Sequence, residues 1–331
     1  MFEIVTFGSS TWDIFLKVPD NQLIKSQDFL SGSAVAFNLG SKIDIEDMYF
    51  SFGGGGVNSA FTFLNQGFNV AYCGSVGKDI PGKEIINLLK EAGIGTDLIQ
   101  EVDKPTNNSV IFNTSENERT VLAYRGASEM LDMEEVYWSH IDSPLWFYIA
   151  PLSGKLSKST EEIVNFAKKN KIKVAINLGN SQISLGKEKL SAVLKKVDVL
   201  LLNLEEAALL TCINSNDEAG IMRELNNIHN GINVVTKGDQ GVLVSDKDIL
   251  FDAFSCKVKV VDKTGAGDAF GAGFISGLIK SNYDIESGIR RGIANATSCI
   301  KVKGSINGLL RAEEVFTDME EKIKIDKGKI I

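Results

Sequence analysis

Val261-Asp262-Lys263-Thr264-Gly265-Ala266-Gly267-Asp268-Ala269-Phe270 reads as the end of a strand, a glycine turn and the start of a helix. Residues 256–261 alternate and are β-branched, which predicts a strand. Gly265 and Gly267 free the turn from Cβ constraints. Over residues 269–280 the apolar side chains recur at helical spacing, with Gly271, Ala272 and Gly273 between them. A helix that starts in such a turn aims its free N–H groups outward, and with the positive end of its dipole they form an anion site. Asp268 lies inside that site. A carboxylate beside an anion hole suits a base that deprotonates a hydroxyl while the hole holds a phosphoryl group. The plainer alternative makes Asp268 a helix cap and the glycines a tight turn.

The chain has 331 residues, 44% hydrophobic and 24% charged, with a net charge of −8. That is an ordinary balance for a globular protein. No cluster of Lys and Arg stands out, so nucleic acid is not an expected partner. No apolar run reaches membrane-spanning length and no signal peptide is visible, so a cytoplasmic protein without a membrane partner is expected. Cys73, Cys212, Cys256 and Cys299 lack metal or redox spacing. Cys73, Cys256 and Cys299 are read as small buried side chains. His140 and His229 are too few for a zinc site.

Working outward, residues 3–7 form a buried strand that ends at Gly8, and Asp13 follows. A polar residue just past a core strand is where open α/β sheets place ligand contacts. Residues 15–52 show short alternating runs, with a strand at 43–48. Gly53-Gly54-Gly55-Gly56-Val57-Asn58 precedes a helix at 59–66, and such a run lets backbone approach a ligand closely. Gly77-Lys78-Asp79-Ile80-Pro81-Gly82-Lys83-Glu84 misses a phosphate loop, because Glu84 stands where Ser or Thr would bind magnesium. Residues 109–113 and 118–124 read as a hairpin. From 145 onward strands and helices alternate, the pattern of a parallel sheet covered on both faces. A last amphipathic helix is expected over 313–322.

Three more clusters fall at core strand ends. Asn203-Leu204-Glu205-Glu206 is either a capping box or a carboxylate near metal-bound water. Thr236-Lys237-Gly238-Asp239-Gln240-Gly241 is a glycine turn between strands. Asn295 lies on the helix after the one that carries Asp268. Taken in this order, the motifs resemble the ribokinase-like carbohydrate kinases, the PfkB family. The resemblance runs over residues 3–308, with 52–58 matching the N-terminal signature and 262–270 the C-terminal one.

The resemblance implies an α/β fold: a ribokinase-like three-layer αβα core with a mostly parallel sheet, plus a small β-sheet lid. The core would comprise 1–13, 53–105 and 126–331, and the lid 14–52 and 106–125. It implies Asp268 as catalytic base, with Gly265, Ala266 and Gly267 forming the anion hole. Asp13, Gly54, Gly55 and Asn58 would bind sugar hydroxyls. Asn203, Thr236, Gly238, Gly241 and Asn295 would bind the nucleotide, ATP. Glu206 would hold Mg²⁺ through water, and Asp262 and Thr264 would hold K⁺. A sugar kinase is implied, with a nucleoside kinase or a catalytically inactive binding module as alternatives, and a homodimer through the lid. Phe15, Phe37, Tyr49 and Phe52 are candidates to hold a nucleoside base, or simply lid packing. Three departures bear on the substrate. The strand at 146–150 is followed by Pro151-Leu152-Ser153, where ribokinases carry a glutamate. The first lid insertion is long, and Gly55 stands where ribokinases often carry lysine.

Overall fold

The computed structural model describes residues 2–29, 32–114, 119–141, 144–255, 257–314 and 322–329. The chain opens with β1 (Ile4–Phe7), β2 (Thr11–Lys17), a small hairpin of β3 (Leu23–Lys25) and β4 (Ser33–Val35), and β5 (Asp47–Gly53). Then follow α1 (Gly55–Asn65), β6 (Val70–Gly77), α2 (Ile80–Ala92), β7 (Ile99–Val102), β8 (Asn107–Asn113) and β9 (Arg119–Tyr124). The alternating part contains β10 (Trp146–Ile149), α3 (Thr160–Lys169), β11 (Lys173–Asn177), α4 (Asn180–Ile183), α5 (Lys187–Leu194) and β12 (Val199–Asn203). It continues through α6 (Leu204–Thr211), α7 (Glu218–Ile228), β13 (Ile232–Thr236), β14 (Val242–Asp246) and β15 (Ile249–Ala253). Last come α8 (Ala266–Lys280), α9 (Ile285–Cys299) and β16 (Ile325–Lys329).

Ten strands form one sheet in the order β16-β15-β14-β13-β12-β11-β10-β1-β6-β7. Pairing is parallel from β13 to β7 and antiparallel from β13 to β16. Alternate strand residues feed two cores. Val5, Phe147, Ile149 and Leu200 pack with α3, α5, α6 and α7; Ile4, Tyr72, Tyr148 and Leu201 pack with α1, α2, α8 and α9. The result is three layers, helix on sheet on helix. After β1 the chain builds outward through β6 and β7, and from β10 it builds the other way. The order therefore reverses between β1 and β10, and open α/β sheets bind ligands outside the carboxyl ends of the strands at such a point.

A second, smaller sheet, in the order β5-β2-β8-β9, stands where the lid is expected. Its first strand begins at Thr11, so Asp13, read from the sequence as part of the core, is on the lid. The register separates two faces. One carries the rows Phe50, Ile14, Val110, Leu122 and Phe52, Trp12, Asn108, Tyr124; the other carries Ser51, Asp13, Ser109, Ala123.

Three expectations shift, and a fourth set lies outside the described residues. The strand expected at 43–48 runs instead over β5, because the strand follows pairing with β2 rather than the local alternation. Residues 257–261 form no strand: β16 already covers the edge of β15, and Val260 and Val261 stay exposed. The helix of the glycine run starts at Gly55, not at 59. The helix expected over 313–322 and the turn of the 109–124 hairpin fall largely outside the described residues, as does Cys256.

Helix α8 is buried on all sides from Ala269 to Leu278, as suits a helix without a polar face. It meets α9 through glycines. A Cβ at Gly277 would lie 2.8 Å from the Gly288 Cα, and one at Gly292 would lie 2.9 Å from the Phe270 Cε2. Gly277→Val forces the two backbones apart, and such overpacking costs about 1–3 kcal/mol. Urea denaturation checks this; an unchanged midpoint would show that the helices absorb the side chain without strain.

Candidate active site

Gly265 is the residue that makes the turn before α8 possible. It sits at φ 77°, and a Cβ there would run into Ser305. The helix then starts at Ala266, which puts Asp268 in the first turn. The Ala266 N–H donates to the Lys263 carbonyl at 3.3 Å. The N–H groups of Gly265, Gly267 and Asp268 meet no protein acceptor among the described residues. These are the open donors of a helix N-terminus. Gly267 faces open space: no atom lies within 4 Å of where its Cβ would be.

Asp268 does not cap the helix. No side-chain cap bond is made at the start of α8. Its carboxylate instead accepts from Asn58 Nδ2 at 2.8 Å, and Asn58 Oδ1 accepts from Ser305 Oγ at 2.7 Å. Part of Asp268 remains open to solvent, yet its carboxyl lies deep enough for desolvation to be the leading influence on it. Desolvation lifts its pKa above the ordinary carboxylate range, and the Asn58 hydrogen bond pulls it partly back.

The glycine run brings α1 to the same point. Gly54 has φ 97°, and a Cβ there would strike the Ser9 carbonyl. A Cβ at Gly55 would lie 3.0 Å from Ala150 Cβ and 3.3 Å from Asp268 Oδ1. Gly8 and Ala150, just past β1 and β10, also touch here. The carboxylate therefore stands at the strand-order reversal. Asp13 comes in from the lid, buried against Gly53, and accepts from Thr11 Oγ1 at 3.3 Å. Burial raises its pKa; hydrogen bonds from Ser109 and Thr11 lower it; Asp262 raises it and Arg119 lowers it. Asn58 is held by Asp268 and Ser305, so both ends of its amide, expected to bind a sugar, are engaged within the protein.

The expected nucleotide residues divide. Asn203 and Thr236 are register partners at the carboxyl ends of β12 and β13. Asn203 and Glu206 form a full capping box: Glu206 N–H donates to Asn203 Oδ1 at 2.8 Å, and Asn203 N–H to Glu206 Oε2 at 2.9 Å. Glu206 Oε1 takes no donor among the described residues, and burial raises the carboxyl pKa. A nearby divalent cation would offset that cost, so Glu206 fits Mg²⁺. Gly238 turns at φ 61° in open space, and Gly241, at φ 105°, packs on the Ala253 carbonyl. Asn295 is a correction. Its side chain is fully buried, donating to the Ala269 carbonyl at 2.7 Å and accepting from Leu310 N–H at 2.9 Å. It braces α8 from behind and has no edge for a nucleotide.

Asp262 and Thr264 fit K⁺ poorly. Asp262 Oδ1 accepts from Thr264 N–H at 2.9 Å and Oγ1 at 2.6 Å, and Oδ2 accepts from Gly304 N–H at 3.0 Å. Arg119 Nη1, from the lid, reaches both Asp262 Oδ1 and Thr264 Oγ1. Arg119 and Ser305 were missed in the sequence because neither sits in a motif. No group of three or more His, Cys, Asp or Glu side chains able to hold a metal occurs among the described residues. No helix among them is long and apolar enough to cross a membrane.

A carboxyl whose pKa is raised by folding weakens the fold as pH rises through that value. Asn does not titrate and still offers an oxygen to Asn58. Asp268→Asn is therefore expected to melt higher than the unsubstituted chain at about pH 8, with the gap shrinking towards about pH 4. Thermal melts at both ends check it; a constant gap would remove desolvation as its cause.

Residues 29–312 match the model of the pfkB family of carbohydrate kinases. A ribokinase of Haemophilus influenzae is 29% identical over 290 residues, covering 85% of this chain and 91% of that protein. An ATP-dependent 6-phosphofructokinase of Thermoanaerobacterium thermosaccharolyticum is 25% identical over 280 residues, covering 82% and 86%. The structure of Arabidopsis thaliana ribokinase complexed with ribose and ATP superposes with a TM-score of 0.78 at 20% identity, covering 96% and 98%. That of the Methanocaldococcus jannaschii nucleoside kinase superposes with a TM-score of 0.74 at 22% identity, over the same shares. The fold is ribokinase-like, and the chain belongs to the pfkB family of carbohydrate kinases, phosphotransferases that act on an alcohol group.

Proposed function

We propose that this protein transfers the γ-phosphoryl group of ATP to a primary hydroxyl of a small sugar. The observation that carries the reading is the Asp268 carboxylate beside the open N–H groups of Gly267 and Asp268, at the mouth of α8. In this reading Asp268 takes the hydroxyl proton as the oxygen attacks phosphorus. The bond to the departing ADP breaks, and the N–H groups of the turn hold the transferring anion. The raised pKa makes Asp268 a stronger base than an ordinary carboxylate. Asp13, with the backbone of Gly54 and Gly55, binds the other sugar hydroxyls. Thr236, Gly238 and Gly241 line the nucleotide. Asn203 stands by the phosphates, and Glu206 would hold Mg²⁺ through water, which would neutralise phosphate charge.

Lid aromatics favour a sugar over a nucleoside. Phe15 stacks on Tyr49 at 4.5 Å, Phe52 packs edge-on against Trp12 at 5.2 Å, and Phe37 packs against Phe112 at 5.5 Å. Each of these rings has one face or edge taken by a neighbour, which leaves less of it for a base. Turnover with a panel of sugars and nucleosides tests the choice; turnover of nucleosides alone would reverse it.

The catalytic role predicts a loss of about 10²–10⁴-fold in kcat for Asp268→Asn in a chain that still folds. Near-normal kcat would return the carboxylate to a structural role. Asn58→Ala removes the hydrogen bond that holds the Asp268 pKa down, so the acid limb of kcat/KM should move to higher pH. A limb that stays in place, or moves down, would assign it to another group. Gly267→Ala has room in the protein and should leave helix stability unchanged or raise it by about 0.5–1 kcal/mol. Its methyl would project to the phosphoryl side and lower kcat; a stable, fully active variant counts against this anion hole.

The lid also favours a homodimer. Met48, Phe50, Leu122 and Tyr124 are each about half exposed on one face of the lid sheet. The central rows of that face carry no charged side chain. A second copy offers a matching face, and sedimentation velocity of the intact protein checks it. A monomer at every concentration would overturn this part.

A further inference from the structure

The family resemblance implies a monovalent cation at Asp262 and Thr264, yet a charged side chain meets the same two oxygens. Arg119 opens β9, and its Nη1 contacts Thr264 Oγ1 and lies 3.4 Å from Asp262 Oδ1. K⁺ and a guanidinium cannot share these oxygens. The other contacts of the Asp262 carboxylate are hydrogen-bond donors: Thr264 N–H and Oγ1 on Oδ1, and Gly304 N–H on Oδ2. The Asp262 side chain is only 9% exposed, against 38% for Arg119. Their attraction is therefore screened less than that of a pair in open solvent. A guanidinium keeps its charge at every working pH and donates without accepting.

We propose that Arg119 takes the place of a monovalent cation in this protein, joining the lid to the turn that carries the anion hole. A free ion binds whether the lid is open or closed. Arg119 arrives only with β9, so neutralisation of Asp262 and closure of the lid become one event. Two further contacts follow the same path between lid and turn. The Lys303 ammonium stands 4.7 Å from the centre of the Tyr49 ring of β5, and Ser305 Oγ lies 3.1 Å from the Phe52 carbonyl. Gly304, between them, donates to Asp262. Arg119 is thus a positioning residue: it touches the turn, and the turn holds the phosphoryl group. This last step rests on the phosphotransfer reading above.

The test compares the unsubstituted protein, Arg119→Met and Arg119→Lys in choline chloride, NaCl and KCl at equal ionic strength. Melting temperature and turnover are measured in parallel. The unsubstituted protein should melt and turn over alike in all three salts. Arg119→Met should lose about tenfold or more in turnover in choline chloride. KCl should restore part of that loss and raise the melting temperature of this variant alone. Arg119→Lys, which keeps a point charge without the planar fork, should need less K⁺. A melting or rate response of the unsubstituted protein to KCl overturns the proposal. So does an Arg119→Met chain that equals the original in every salt, or one impaired equally in all of them. If no substrate is turned over by any chain, the phosphotransfer reading fails while the melts still decide the cation question.

Discussion

The arrangement around Asp268 depends on keeping a carboxylate largely out of water with a single side-chain hydrogen bond to it. Desolvating a charge costs free energy, and the surrounding protein must hold the group where it is. Asn58 supplies one restraint from α1, and Ser305 holds Asn58 from the loop after α9. Gly265 lets the turn pass close to Ser305, and Asn295 fixes the first turn of α8 from the rear. Asn58 bonds the carboxylate, the other segments hold it through Asn58 and the turn, and α8 itself is pinned between the sheet and α9.

The lid divides its work by face. Period-two alternation sends Asp13, Ser51 and Ser109 to one side and Trp12, Ile14, Phe50 and Leu122 to the other. A polar row on one side and an apolar sheet face on the other is what a cover needs if it contacts substrate below and protein outside. A one-residue slip of β2 would exchange the two sets, so register carries the chemistry of the lid.

Most of the core was legible in the sequence, because its strands and helices have strong periods. Strands such as Val199–Asn203 and Ile232–Thr236 lie within a residue of where short apolar runs place them. The glycine turn at 265–267 announced a helix start with open N–H groups through local chemistry alone. What escaped depended on distant partners. Arg119 reads as an unremarkable hairpin residue, and its partner Asp262 lies 143 positions away. Ser305 meets Asn58 across 247 positions. Asn295 looks like a surface amide until α9 is seen to pack on α8. Residues 257–261 alternate like a strand, but β16, arriving from the end of the chain, already holds the edge they would need. Local pattern does not report such competition.

The lid sheet has one more property, which concerns the order of assembly. Its central pair, β2 and β8, is parallel and matches Thr11 with Asn107, so α1, β6, α2 and β7 lie between the paired strands. Closing so long a loop costs chain entropy before any contact rewards it, and parallel pairs of this kind form slowly. The intervening elements belong to the core, which brings the two lid strands together once it has condensed. A chain still emerging from synthesis at β7 would carry β2 and β5 as a lone hairpin with Phe50 and Trp12 on an uncovered face. The small sheet is thus the part of the young chain most open to misassociation.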